Sequence, residues 1–381
     1  MTQPIELMPT EPAATGRLLS QPGDRVGVPD HLAAVDCLLD RTMADLSAQW
    51  AELVGGRPAD VLGSADLPQM LTALLRSGGK RIRPTMTCLG WAAAGGPHRA
   101  GDRRTIVTVS AALELLHLFA LVHDDVMDES DSRRGVPTIH HQAGLRHSSA
   151  GSAGDPRLFG TSIAILAGDL ALAEAEGLIA ETTPAIRRLW RHLVVELVVG
   201  QRQDLTGTAA RRRDLSFART VAILKSGCYT VQRPLELGAA AAAAPAAVHQ
   251  SLRRYGQTLG EAFALRDDIL GIWGDPDRTG KPAGDDLITG KPTVLLSIAE
   301  DRTGSGAARR ALDRVGTPAF DGADLALLLE ELVGNGTRSA VEQMIGDAVD
   351  AALAALDDPL LDPGAAGELR RLAHAIAWRE R

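Results

Sequence analysis

His123-Asp124-Asp125-Val126-Met127-Asp128 closes a long apolar stretch, and its reading decides the fold. Apolar residues upstream recur at helical spacing, which predicts one helix over Thr105 to Asp128. Residues four and seven apart share a helix face, so His117, Leu121, Asp124 and Asp128 form one stripe. The carboxylates of Asp124 and Asp128 then stand one turn apart, about 5.4 Å along the axis, and can share metal ions. His117 falls roughly 10 Å lower on that stripe. Asp125 is turned away by about 100°, toward another ligand or a supporting role. The helix macrodipole disfavours negative charge at a C-terminus. A bound cation therefore fits this cluster better than an empty acidic helix end does. Mg²⁺ with a phosphorylated ligand is the simplest candidate. Arg133 and Arg134 follow at once, and guanidinium forks match phosphate oxygens, although a solvated turn would carry the same residues.

Arg266-Asp267-Asp268-Ile269-Leu270-Gly271 is the second acidic cluster. Tyr255 to Ile272 reads as a helix, with Phe263 one turn below Asp267 on its face and Gly271 one turn above. Asp268 is offset. Two such helices facing each other put carboxylates on both sides of a cleft, where Mg²⁺ commonly bridges to substrate phosphates. The segment Gly78-Gly79-Lys80-Arg81-Ile82-Arg83-Pro84 places three cations after paired glycines, which suits an anion cradle at a helix start. An ordinary basic loop is the alternative, and Walker spacing is absent. Lys225-Ser226 adds a cation beside a hydroxyl. Asp275 to Pro292 reads as a long Gly/Pro/Asp-rich loop with two lysines, Lys281 and Lys291, of the kind that often forms a lid.

Elsewhere helical patterns alternate with short Gly/Pro breaks, and no sustained period-two alternation marks a sheet, so the fold class is all-α. Residues 1–29 read as a disordered tail, and 30–381 as one helical domain with Asp30 as its first cap. Gly144 to Gly160 reads as a loop. Ala239 to Ala244 reads as a helix that admits a close neighbour and stops near Pro245. Only 3% of the 381 residues are aromatic, which favours close helix packing over sheets. The net charge of -8 argues against a nucleic-acid partner. Cys37, Cys88 and Cys228 are widely spaced and odd in number, which fits a reducing cytoplasm better than a disulfide framework or zinc site. The N-terminus lacks a secretion signal pattern, and no apolar run is read as long enough to span a membrane.

Taken in order, GGKRIRP (78–84), HDDVMD with its trailing RRG (123–135), GQRQD (200–204), KSGCYT (225–230), FALRDD (263–268) and TGKPAGDDLITGKPT (279–293) resemble the trans-isoprenyl diphosphate synthases, the polyprenyl synthetase family. The resemblance runs from about Leu32 to the last helices. It implies helices around a central cavity, a homodimer, and head-to-tail condensation of isopentenyl diphosphate with an allylic diphosphate (dimethylallyl, geranyl or farnesyl). By match, Asp124 and Asp128 bind Mg²⁺ from one wall and Asp267, with Asp268 beside it, from the other. Arg133, Lys225, Ser226, Lys281 and Lys291 hold the allylic diphosphate. Lys80, Arg81, Arg83, His117 and Arg134 hold isopentenyl diphosphate. An aromatic Phe119 and small Ala120 below the first motif look like a geranylgeranyl (C20) synthase; farnesyl (C15) and geranylfarnesyl (C25) synthases are the alternatives. A class I terpene cyclase and a non-catalytic subunit of this fold are more distant rivals. Two departures stand out: Gly271 replaces the third aspartate of the second motif, with Asp275 as a conceivable substitute, and Ala264 replaces a common glutamine.

Overall fold

The computed structural model describes residues 27–55, 61–96, 103–133, 135–275 and 283–380. The first helices are α1 (Val28–Val54), α2 (Leu67–Arg76), α3 (Ile82–Ala93) and α4 (Arg103–Met127). A two-residue antiparallel hairpin follows, β1 (Ser132–Arg133) with β2 (Val136–Pro137). Then come α5 (Ile139–Ser149), α6 (Pro156–Ala180), α7 (Pro184–Ala209) and α8 (Leu215–Ala222). The last runs without a break through a π-helical segment, Ile223–Gln232, into α9 (Arg233–Ala241). The rest is α10 (Ala246–Trp273), the short α11 (Asp285–Thr289), α12 (Val294–Arg302), α13 (Ala307–Arg314), α14 (Gly322–Gly334), α15 (Thr337–Ala355) and α16 (Pro363–Ala377).

The apolar core divides into two clusters, and each aspartate helix is seated in a different one. α4 shares its cluster with α1, α2, α6 and α7, while α10 shares the other with α3, α12, α15 and α16. Successive faces of α9 join the clusters, with Leu237 in the first and Leu235 and Ala239 in the second. Val109 to Leu116 of α4 are buried on every side, as expected of a helix enclosed by others. α4 is also long and apolar enough to cross a membrane by length and composition, which corrects the expectation that no such run exists. In this fold its most apolar stretch lies mostly inside the protein.

Three boundaries differ from the sequence reading, and one is the loop expected over Asp275 to Pro292, which carries the helix α11 at Asp285–Thr289. The segment 144–160 is largely helical, with only 150–155 between α5 and α6. Ser148 and Ser149, which suggested a loop, satisfy their hydroxyls on the carbonyls of Gly144 and Leu145 one turn back. Asp155 caps α6 by accepting from the Arg157 N–H at 2.9 Å, with Pro156 in the first turn. At the start of the described chain, α1 begins at Val28, so Pro29 and Asp30 lie in its first turn and Gly27 is the cap. The rest of the expected tail, residues 1–26, lies outside the described residues.

Candidate active site

α4, α7, the π-helical segment and α10 surround a cavity of about 1100 Å³. Asp124 lines it from α4, Asp267 and Asp268 from α10, and Lys225 and Ser226 from the π-helical segment. Glycines allow these elements to cross closely. A β-carbon on Gly200 would lie 2.5 Å from the Lys225 backbone nitrogen, and one on Gly227 would lie 2.6 Å from the Gly260 carbonyl oxygen. Lys225 is thereby held between the walls. Its Nζ donates to Asp204 Oδ2 at 2.5 Å and stands 3.4 Å from Asp124 Oδ1. Burial lowers the affinity of this amine for its proton, but Asp124, Asp204 and Asp128 outweigh that and hold its pKa above the ordinary lysine range.

The first wall is surrounded by cations. Arg133 Nε donates to the buried Asp125 at 2.6 Å, and its Nη2 is 3.6 Å from Asp124 Oδ2. Lys291 Nζ donates to Asp128 Oδ2 at 2.7 Å, and Gln201 Nε2 donates to Asp124 Oδ1 at 3.1 Å. For Lys291, burial and Lys225 lower the pKa, but Asp286, Asp128 and Asp124 raise it further. On the second wall Asp267 is ion-paired to Arg379, whose guanidinium also lies 4.1 Å over the Phe263 ring. Asp268 accepts from the Val294 N–H at 3.1 Å. Burial, reinforced by Asp286, pushes its carboxyl well above the usual range.

A second basic group lies on α3 and the segment before it. Arg83 Nη2 donates to Thr230 Oγ1 at 3.0 Å, and its guanidinium stacks 4.0 Å over the Tyr229 ring. The Tyr229 hydroxyl meets His117 Nδ1 at 2.7 Å. Lys80 is exposed where this group meets the cavity. Arg81 is turned onto two carboxylates, Glu114 at 2.5 Å and Asp36 at 3.0 Å. Phe119 and Ala120 line the cavity, with the Phe119 ring edge-on to His123 at 4.7 Å.

A family model for polyprenyl synthetases matches residues 64–326, which carry both aspartate walls and the basic group on α3. The chain belongs to the polyprenyl synthetase family. It is 33% identical over 80% of its length to a geranylgeranyl diphosphate synthase of Mycobacterium tuberculosis, of which it covers 81%. It is 32% identical over 71% of its length to a geranylfarnesyl diphosphate synthase of Aeropyrum pernix, covering 80% of that protein. Among solved structures, a geranylgeranyl pyrophosphate synthase of Corynebacterium glutamicum, complexed with isoprenyl diphosphate and magnesium, is similar at a TM-score of 0.82. The sequence identity is 35%, covering 91% of this chain and 98% of that one. The chain is a prenyltransferase of the short-chain trans type, with the all-α isoprenoid synthase fold.

The donor set of this polyprenyl synthetase suits a hard divalent cation shared with a ligand. Among the described residues, no three His, Cys, Asp or Glu side chains come close enough to cage a metal. Mg²⁺ usually takes one or two carboxylates and completes its shell with water and substrate phosphates. Asp124, Asp128 and Asp267 offer such oxygens, each beside an ammonium or guanidinium in this structure.

Of the sequence-derived site residues, Arg134 and Lys281 lie outside the described residues. Asp204 was visible only as the end of GQRQD; its pairing with Lys225 needs α7 to cross the π-helical segment. Tyr229, Asp286 and Arg379 were assigned no role in the sequence. Arg379 lies 112 residues beyond Asp267, and no local pattern links the two.

Proposed function

We propose that this chain joins isopentenyl diphosphate to an allylic diphosphate with Mg²⁺ bound between its walls, and that its product is geranylgeranyl diphosphate. The supporting observation is one cavity lined by both aspartate clusters, with Lys225 and Lys291 between them and Arg83 and His117 beside them. Asp124, Asp128 and Asp267 hold the metal, which when bound stabilises charge on the departing pyrophosphate. Lys225, Ser226, Arg133 and Lys291, with Lys281, grip the allylic diphosphate as its C–O bond breaks. Lys80, Arg83 and His117, with Arg134, orient isopentenyl diphosphate so that its double bond meets the allylic carbon. A buried Arg83 Nε with no hydrogen-bond partner among the described residues supports an anion there. Arg81, held by Glu114 and Asp36, shapes this cradle. The cavity walls exclude water from the allylic cation left when the C–O bond breaks; the double bond of isopentenyl diphosphate attacks that carbon, and the resulting cation loses a proton to pyrophosphate to form a new double bond.

Phe119 supports the C20 reading, since its ring lines the cavity beside the small Ala120 and packs edge-on against His123. Exposed apolar residues on α6 (Leu158, Ile165, Leu166) and α7 (Val195, Val199) support a homodimer. The free cysteines support a cytoplasmic location.

Product analysis with isopentenyl diphosphate, Mg²⁺ and dimethylallyl, geranyl or farnesyl primers tests the reading. C20 product from all three supports it, and a C15 or C25 end product overturns the chain length. Pyrophosphate release from the allylic substrate alone points to a cyclase. No release points to a non-catalytic subunit.

A further inference from the structure

A second cavity, of about 790 Å³, lies between α7, α9 and α10. Its volume is within the range of small-molecule sites. It shares no lining residue with the cavity of the aspartate walls. His249 lines it eighteen residues before Asp267 on α10, roughly 27 Å along the helix axis, so the two cavities stand toward opposite ends of that helix. Three arginines line the second cavity, Arg188, Arg233 and Arg253, and no carboxylate does, in a chain whose net charge is -8. Glu236, fully buried behind them, accepts from Arg253 Nε at 2.8 Å and from Arg233 Nη1 at 2.6 Å. Glu196 accepts from Arg233 Nε at 2.8 Å. Two carboxylates against three arginines leave this wall cationic. Both terminal nitrogens of Arg253 are without a bond among the described residues. Arg188 is exposed and has no hydrogen bond or ion pair among them. Leu189, Ala240 and Ala244 give the same cavity a compact apolar side.

We infer that this cavity is a second binding site, for a phosphorylated small molecule with a compact apolar part. Guanidinium forks match phosphate oxygens in pairs, and the unused N–H groups of Arg188 and Arg253 supply them. The bond to buried Glu236 holds the Arg253 fork in place before a ligand arrives, so less side-chain freedom is lost on binding. The apolar part of the ligand lies on Leu189, Ala240 and Ala244. Gln232 also lines the cavity, and its Nε2 donates to Glu236 at 3.0 Å. The ligand therefore touches the end of the π-helical segment that carries Lys225 and Ser226 to the other cavity. The site takes nothing from the aspartate walls, so it stands or falls apart from the proposed reaction.

The test is calorimetric titration of the full chain with phenyl phosphate and with inorganic phosphate, in EDTA so that no divalent cation draws either anion to the aspartate walls. Wild type is expected to bind phenyl phosphate several-fold more tightly than inorganic phosphate. Arg188→Gln is expected to weaken phenyl phosphate binding by about 10-fold or more, the loss of one charge-assisted hydrogen bond. Its side chain is exposed and unpaired, so this variant keeps the fold. Arg253→Gln should lose as much, while Lys225→Ala should bind as wild type does. No binding by wild type, or equal binding by wild type and Arg188→Gln, overturns the inference. Binding that falls in Lys225→Ala but holds in both arginine variants places the anion in the catalytic cavity and overturns it as well. Equal affinity for the two anions overturns the apolar part of the assignment.

Discussion

Lys291 Nζ lies 2.7 Å from Asp128 Oδ2, so a loop that follows the second aspartate wall is bonded to the first. In the proposed site this amine is one of the cations that hold the allylic diphosphate. We expect Lys291→Ala to raise KM for the allylic diphosphate by roughly 10- to 100-fold, the cost of one charge-assisted hydrogen bond. KM for isopentenyl diphosphate should change much less. Steady-state kinetics with each substrate varied in turn would show this, and an unchanged allylic KM would remove Lys291 from the site.

Asp204 serves Lys225 as a fixed counter-charge. In Asp204→Asn the ammonium remains partly buried with Asp124 as its main partner. We expect a loss of roughly 2–3 kcal/mol of stability in urea unfolding, toward the low end for a broken buried pair because Lys225 is partly exposed. A loss below about 0.5 kcal/mol would place the pair among surface bridges.

Phe119→Ala removes a cavity-lining ring that packs on His123. We expect longer products from isopentenyl and farnesyl diphosphates, read by chromatography of the dephosphorylated alcohols. Identical chain lengths in wild type and variant would leave Phe119 as core packing only.

His31 gives a pH signature away from the active site. Its ring is buried, with Nε2 2.9 Å from Ser110 Oγ. Burial, aided by Arg103, lowers its pKa to about 4. The folded state therefore binds this proton less readily than the unfolded chain. The stability it contributes is full above the unfolded value of 6.5 and is lost as pH falls toward about 4. That window corresponds to roughly 3 kcal/mol. Urea unfolding at pH 7 and pH 5 should show a steeper acid loss for wild type than for His31→Gln, and parallel losses would count against it.

Both aspartate helices were legible because α4 and α10 carry uninterrupted helical periodicity ending in charge. The run of cations at Lys80–Arg83, visible in composition, lines the cavity. Local chemistry misled at Gly144–Gly160, where serines and glycines that often mark loops lie inside helices whose packing outweighs propensity. Arg81 shows the limit of reading charge in isolation, since Glu114 and Asp36 meet it only after α1 and α4 are packed. Arg379 on Asp267 and Asp286 at Gly271 depend on tertiary approach.

The π-helical segment Ile223–Gln232 has a consequence for how the gene can vary in length. Its backbone bonds span five residues instead of four. Deleting one residue there would let the segment close as an ordinary α-helix with no break in the chain. The helices on either side would keep nearly their present relation, because the wider turn is what absorbs the additional residue. Only side chains inside the segment would be re-aimed. Losing one codon in this stretch should thus spare the fold and disturb the cavity, whose wall includes Lys225, Ser226 and Tyr229.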